Sequence, residues 1–365
     1  MDLPPEVTGE PAGSFAWTVL HERHPALVRQ VRDAHPYPPS ILAALDRLAA
    51  TLADESWDVV PFLTAEGRFY TELLEAVEHG SAGPWAGLDP FAFLKRAELA
   101  APRLGQDLSA LDEIAQLPLA GRTEGLLHAA LWANRADLGF RIGILAAGGT
   151  DGGEVPAATL VADDTDAAVS LLLGGLDGVV LLADNAGREL LADLVLVDHL
   201  LAEGLARRVV LQLKPRPWFV SDATVADLVD CVDRLAAAGG AAGDAAARLR
   251  TAIGDGRVAV RANWFTAQPY ELRLLPPDLA DDLAAASLVV VKGDLNYRRL
   301  VGDRRWDPTT PLAAVTDYLP APVLALRTLK SDVVVGLDAG PVAELDASGA
   351  AWRTDGTHAL VQLRP

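Results

Sequence analysis

One cysteine, Cys231, stands in 365 residues. A lone thiol excludes an internal disulfide and a cysteine-based zinc cluster. Lysine is nearly as scarce: of 31 basic residues only Lys95, Lys214, Lys292 and Lys330 are lysines, and the other 27 are Arg. With abundant Ala and Gly, that bias suggests a GC-rich coding sequence in which Arg is the default surface cation. Basic charge as a whole is in deficit. Fifty acidic residues give a formal net charge of −19, which argues against nucleic acid as a partner. The same charge repels anionic ligands at long range, so any anion would need a local positive site. No uninterrupted apolar run reaches membrane-spanning length, and Met1-Asp2-Leu3-Pro4-Pro5 has neither a basic n-region nor an apolar h-region. No membrane partner and a cytoplasmic location are therefore expected. No GxxxxGK[ST] phosphate loop is present. Gly148-Gly149-Thr150-Asp151-Gly152-Gly153 lacks the strand and helix that a dinucleotide-binding GxGxxG requires.

Half of the residues are hydrophobic, which excludes a disordered chain. At this length a core burying roughly 75% of the unfolded surface is available, in one large or two modest domains. Residues 15 to about 145 read as helices: Ile41–Leu52, Phe69–Glu78, Pro90–Leu99, Leu108–Ala115 and Thr123–Arg135. From Ala157 strands and helices alternate. The expected organisation is a helical N-terminal domain over residues 1–145 and an α/β/α catalytic domain over 146–365, with a mainly parallel sheet. The Gly-rich stretch Ala146–Pro156 is its hinge or a loop over the site. Ala236–Ala247, almost wholly Ala and Gly, reads as a poorly packed helix interrupted by a turn. No repeat exists beyond the βα alternation, and the pattern specifies no oligomeric state.

The chemistry concentrates at strand ends. Gly178–Ala183 is an apolar, β-branched run typical of a buried parallel strand. It gives way to Asp184-Asn185-Ala186-Gly187-Arg188-Glu189 and a helix over Glu189–Glu203 carrying more than one apolar stripe. Open α/β sheets bind ligands at this edge. Hard oxygen donors suit Mg²⁺ or Mn²⁺, although Asp or Asn at a helix start can equally be a cap. The strand Arg208–Lys214 follows, then Pro215-Arg216-Pro217-Trp218-Phe219-Val220-Ser221-Asp222, with Ser221-Asp222 opening a helix. If these strands are parallel neighbours, Asp184 and Asp222 reach one sheet edge. Two carboxylates and an amide oxygen could then hold one divalent cation. Strands Ser287–Lys292 and Val323–Leu326 end in Gly293-Asp294-Leu295-Asn296-Tyr297-Arg298 and Arg327-Thr328-Leu329-Lys330, where basic and amide groups can meet an anion. Three of the four lysines lie in these strand-end segments, where a compact ammonium fits a tight phosphate or carboxylate site. His199, inside the helix after Asp184, reads as a packed histidine. His21 and His24 lack the partners of a zinc site.

Together these segments resemble the DUF89 family of metal-dependent damage-control phosphatases, and specifically its acidic-residue-methyltransferase-like subfamily. The motifs are Asp184-Asn185-Ala186-Gly187-x-Glu189, Lys214-Pro215-x-Pro217-Trp218-Phe219-Val220-Ser221-Asp222, Lys292-Gly293-Asp294-Leu295-Asn296-Tyr297-Arg298 and Arg327-Thr328-x-Lys330. Weaker echoes lie at Asp89-Pro90-Phe91 with Lys95 and at Leu131–Leu138. Arg188, where a bulky apolar residue is expected, and Ala133, where Gly is expected, depart from the pattern. The resemblance implies an α/β/α core and phosphatase action on small phosphorylated metabolites, notably sugar phosphates such as fructose phosphates. It implies that Asp184, Asn185 and Asp222 bind the metal (Mn²⁺ or Mg²⁺ foremost, then Co²⁺ or Ni²⁺). It also implies that Glu189, Asp294, Asn296, Arg298 and Lys330 surround the substrate. The expected reaction is phosphomonoester hydrolysis by Asp184, Glu189 and Asp222. Glu189 or Asp222 would position the water, with Asp184 as an alternative nucleophile, while Lys330, Arg298 and amides at the Gly187 helix start hold phosphate charge. Two alternatives stand beside it: an S-adenosylmethionine-dependent protein glutamate O-methyltransferase and a metabolite-binding protein without turnover.

Overall fold

In the computed structural model, residues 3–133 and 159–365 are described. The N-terminal part is helical: α1 (Phe15–Thr18), a π-helical turn (Val19–Arg23), α2 (His24–Ala34), α3 (Pro39–Thr51), α4 (Phe62–Ala76), α5 (Ala92–Leu99), α6 (Pro102–Ile114) and α7 (Leu119–Trp132). Alternation follows as β1 (Thr159–Asp163), α8 (Thr165–Leu173), β2 (Leu176–Leu182), α9 (Arg188–Ala202), β3 (Ala206–Leu213), α10 (Val225–Ala238), α11 (Gly240–Gly254) and β4 (Val258–Ala262). The chain ends with α12 (Pro277–Ala284), β5 (Leu288–Lys292), α13 (Gly293–Val301), α14 (Leu312–Thr316), β6 (Val323–Thr328), α15 (Ala339–Ala347) and β7 (His358–Arg364).

The seven strands form one sheet in the order β1-β7-β6-β5-β2-β3-β4. All pairings are parallel except β6 with β7. From β2 the chain moves outward through β3 and β4, then returns to lay β5 against β2 on the other side. The order therefore reverses between β2 and β5, and crevices for ligands open at such a point.

Side-chain alternation along the strands divides the core into two faces. Val179, Leu181, Leu211, Val290 and Leu324 pack with α6, α7, α9, α10 and α11. Val180, Leu182, Val289, Val291 and Ala325 pack with α12, α13 and α14. Each fully buried Val or Leu here contributes about 1.5–3 kcal/mol, so period-two burial fixes the register. A third apolar cluster joins α1–α4 to Trp218, Ala267 and Leu295. Thus α6 and α7, from the N-terminal helices, share a core with the sheet, whereas α1–α4 sit over its carboxyl edge.

Some expectations change. The Ala-rich segment is two packed helices, with Ala242, Ala245 and Ala246 buried and the break at Gly239, where φ is +69°. Its small side chains let α11 lie close, so the helix is not poorly packed. Neither Ser221 nor Asp222 opens α10. Thr224 caps it in a reciprocal capping box with Asp227. The segments Ala146–Pro156, Gly148–Gly153 and Asn134–Leu138 lie outside the described residues. Among the described residues no helix is long and apolar enough to cross a membrane.

Candidate functional site

Past their last ladder bonds, β2 and β3 stay zipped together. Ala223 N donates to Asp184 O at 2.8 Å, Ala186 N to Ser221 O at 2.6 Å and Lys214 N to Ala223 O at 2.8 Å. Asn185 and Asp222 form an antiparallel bridge. The two acids and the amide thus arrive at one edge because the backbone of one strand-end loop is paired with that of the other. Asp184 and Asn185 do not cap α9. Its N-cap is Gly187, at φ +68°, with no side-chain cap bond.

Asp184 is buried, and its Oδ1 has no hydrogen-bond partner. Its Oδ2 accepts from Asn185 Nδ2 at 2.9 Å, and the same amide donates to Glu189 Oε2 at 2.9 Å. Asn185 Oδ1 accepts from Ser221 Oγ at 2.6 Å. Burial, then the nearby Glu189 and Asp222 charges, push the Asp184 carboxyl well above its ordinary range. Burial also raises Asp222, and Lys214 and Lys95 oppose that rise. Lys214 Nζ stands 3.0 Å from Asp222 Oδ2, an ion pair without hydrogen-bond alignment.

A divalent cation fits this donor set. Asp184 Oδ1 and Asp222 Oδ2 are buried without a hydrogen-bond partner on the two loops that the Asn185–Asp222 bridge joins, the Asn185 amide stands beside Asp184, and among the described residues lining the cleft there is no soft ligand. Among the described residues no group of three or more His, Cys, Asp or Glu side chains gathers in ligating geometry. The set here is two carboxylates and an amide. Gly293, at the tip of β5, completes the crevice: a Cβ there would lie 1.9 Å from Asp184 Oδ2, and its φ is +79°. Only glycine allows that approach.

The surrounding cleft is lined by Asp184, Asn185, Glu189, Asp222, Asp294, Arg298 and Lys330. From the N-terminal helices come Phe15, Val19, Arg23, Glu66 and Tyr70, and from the loop after β3 come Phe219 and Val220. Three sequence expectations are corrected. Asn296 does not line the cleft; it is buried, and its amide donates to Leu182, Ala183 and Lys292 carbonyls at the ends of β2 and β5. Arg298 is not free to clamp an anion. Nε and Nη2 hold Asp303 at 2.8 and 2.7 Å, and Nη1 holds Glu66 at 2.7 Å. The start of α9 is already filled by the Glu98 carboxyl group, which lies against Gly187. A Cβ on Gly187 would meet Glu98 Oε2 at 1.9 Å. Lys214 and Lys292 turn inward to carboxylates; Lys292 lies 3.4 Å from Glu189 and 3.2 Å from Asp193.

Lys330 remains, exposed at the cleft. Its amide and the Arg327 guanidinium hold Asp294 (3.0 and 2.9 Å), and Arg327 also grips Ser331 Oγ at 2.9 Å. Burial works against ionisation of Asp294, yet Arg327 and Arg298 keep it below the usual carboxylate range. The Arg-Thr-x-Lys segment is thus a buried brace, Arg327, that aims Lys330. Lys95 performs a similar task from α5. Its ammonium bonds the Asp222 carbonyl at 2.9 Å and the acids Asp89 and Asp227 at 2.8 and 3.0 Å. The sequence signal for Lys95 was the weak resemblance at Asp89-Pro90-Phe91. Nothing in the sequence marked Arg23, Glu66 or Tyr70.

Fold and cleft define an α/β protein with a polar crevice at the switch point of its sheet. The chain belongs to the family of damage-control phosphatases with an ARMT1-like domain, whose model matches residues 19–345. It is 30% identical to the damage-control phosphatase ARMT1 of Danio rerio over 341 residues, covering 84% of this chain and 74% of that protein. The Homo sapiens ARMT1 is 26% identical, with 99% and 98% covered. A DUF89 family protein from Pyrococcus horikoshii shares the fold, with a TM-score of 0.55 at 17% identity, covering 91% of this chain and 93% of that one.

Proposed function

We propose that the protein is a metal-dependent phosphatase that hydrolyses small phosphorylated metabolites, with sugar phosphates such as fructose phosphates as its substrate class. The observation that carries this reading is the pair of bridged loops presenting Asp184, Asn185 and Asp222, with an orphaned carboxylate oxygen, in one cleft with Lys330, whose ammonium pairs with no described residue. Family membership supports the phosphatase activity.

Asp184, Asn185 and Asp222 would hold the cation, Mn²⁺ or Mg²⁺ foremost and Co²⁺ or Ni²⁺ as substitutes. When bound, it supplies Lewis-acid charge against the phosphoryl oxygens. Lys330 binds a further phosphoryl oxygen through its ammonium. Glu189, fixed by the Asn185 amide at 2.9 Å, orients a water for attack on phosphorus and takes its proton. The new P–O bond forms as the ester P–O bond breaks, and the proton passes to the departing alkoxide. Asp184 as a carboxylate nucleophile is the alternative form of the same displacement. Lys292, shared between Glu189 and Asp193, and Lys214, beside Asp222, offset the acid charge from within.

A screen of sugar phosphates and p-nitrophenyl phosphate, with Mg²⁺, Mn²⁺, Co²⁺ and Ni²⁺ supplied separately, tests the reading. Phosphate release that a chelator abolishes and metal restores is the expected result. Methyl transfer from S-adenosylmethionine without phosphate release, or metabolite binding with neither reaction, would overturn it.

A further inference from the structure

Among the described residues five acids line the cleft, Glu66, Asp184, Glu189, Asp222 and Asp294, against three cations, Arg23, Arg298 and Lys330. Every contact-making nitrogen of Arg298 is committed to Glu66 and Asp303. Among the described residues neither the Arg23 guanidinium nor the Lys330 ammonium forms a hydrogen bond or ion pair. The two cations reach the cleft from different elements, Lys330 from just past β6 and Arg23 from the π-helical turn ahead of α2.

Two backbone irregularities lie in segments that line the cleft. Arg23 closes the π-helical turn Val19–Arg23 between two ordinary helices, and such turns recur at functional sites. Phe219 adopts φ +48°, a left-handed conformation uncommon for a bulky residue. That conformation brings its ring against Tyr70, stacked at a centroid distance of 4.6 Å. Tyr70 and Phe219 both line the cleft. The helical cover therefore sets a fixed aromatic shelf in the same cleft as a guanidinium that no described residue pairs.

We infer that Arg23, with the Tyr70–Phe219 shelf, is a subsite for the non-reacting end of the substrate. The shelf takes an apolar face and Arg23 donates to oxygen acceptors on the same moiety. Arg23 is thereby a specificity-determining residue that the N-terminal helices lend to the sheet-edge site. The inference rests on the proposed substrate class, but it can fail separately.

The test measures binding of fructose 6-phosphate and of inorganic phosphate to the Mn²⁺-supplemented protein by calorimetry, alongside kcat and KM. Arg23→Gln should weaken fructose 6-phosphate binding at least tenfold and raise its KM accordingly. Inorganic phosphate, which has no non-reacting end, should lose less than threefold. Arg23→Lys should recover part of the loss. Equal losses for both ligands would overturn the inference, because Arg23 would then serve the phosphoryl end. Unchanged fructose 6-phosphate affinity would also overturn it, as would a wild type that binds phosphate but no sugar phosphate. Arg23-dependent sugar phosphate binding without phosphate release would sink the phosphatase reading and leave the subsite standing.

Discussion

At the scale of single residues, the cleft separates side chains left open to it from those that hold them in place. Lys330 belongs to the first group and Arg327 to the second, although one short motif carries both. Lys330→Ala should lower kcat/KM for phosphomonoesters roughly tenfold to a hundredfold, the size of one charge-assisted bond. Its melting temperature should stay near wild type, because the side chain is exposed. Lys330→Arg should not restore full rate if a compact ammonium is needed. Wild-type kinetics in both variants would reduce Lys330 to a surface lysine. Sequence reading located this residue because lysine is rare in the chain. It failed for Arg23, since Arg is the ordinary surface cation here and one more carries no signal. Asn296 misled for a different reason. Amides suit both sugar hydroxyls and strand-end carbonyls, and only the rotation of α13 decides between them.

At the scale of elements, the parallel strands were legible from their β-branched runs, and the meeting of Asp184 with Asp222 followed from one strand–helix–strand unit. The antiparallel β7 escaped, because His358–Arg364 mixes polar and apolar residues without a neighbouring helix to complete the unit. Also illegible was the joint between the N-terminal helices and the loop after β3, which depends on contacts 127 and 132 residues apart. Lys95 is that joint. Lys95→Met would leave Asp89 and Asp227 without their buried cation and should cost about 3–5 kcal/mol in denaturant unfolding. A loss under 1 kcal/mol would show that α5 docks on apolar contacts alone. Gly293→Ala tests the turn from β5 into α13. The positive φ costs about 1–2 kcal/mol for a residue with a Cβ, and the methyl would collide with Asp184. Any folded protein recovered should have lost metal-induced stabilisation.

At the scale of the whole molecule, the helical cover buries a group whose protonation limits the fold at low pH. His24 is fully buried, its ring stacked on Phe69 at 3.8 Å, with neither ring nitrogen partnered. Burial, then the charges of Arg23 and His21, lower its pKa from 6.5 to about 3. The folded protein thus resists a proton that the unfolded chain accepts, so His24 costs stability as pH falls through about 6.5 towards 3. His24→Phe should remove that cost. Its stability relative to wild type should rise by about 2 kcal/mol between pH 8 and pH 5. A pH-independent difference would contradict the buried neutral imidazole. The central claim is that Asp184 and Asp222, brought together by the bridged ends of β2 and β3, share one divalent cation. The most direct measurement is the melting temperature of wild type, Asp184→Ala and Asp222→Ala, each with and without Mn²⁺. A cation bound only by the native pair stabilises by mass action. The account predicts a metal-dependent rise in the wild type alone, with both variants folded. Equal rises in all three proteins would contradict it.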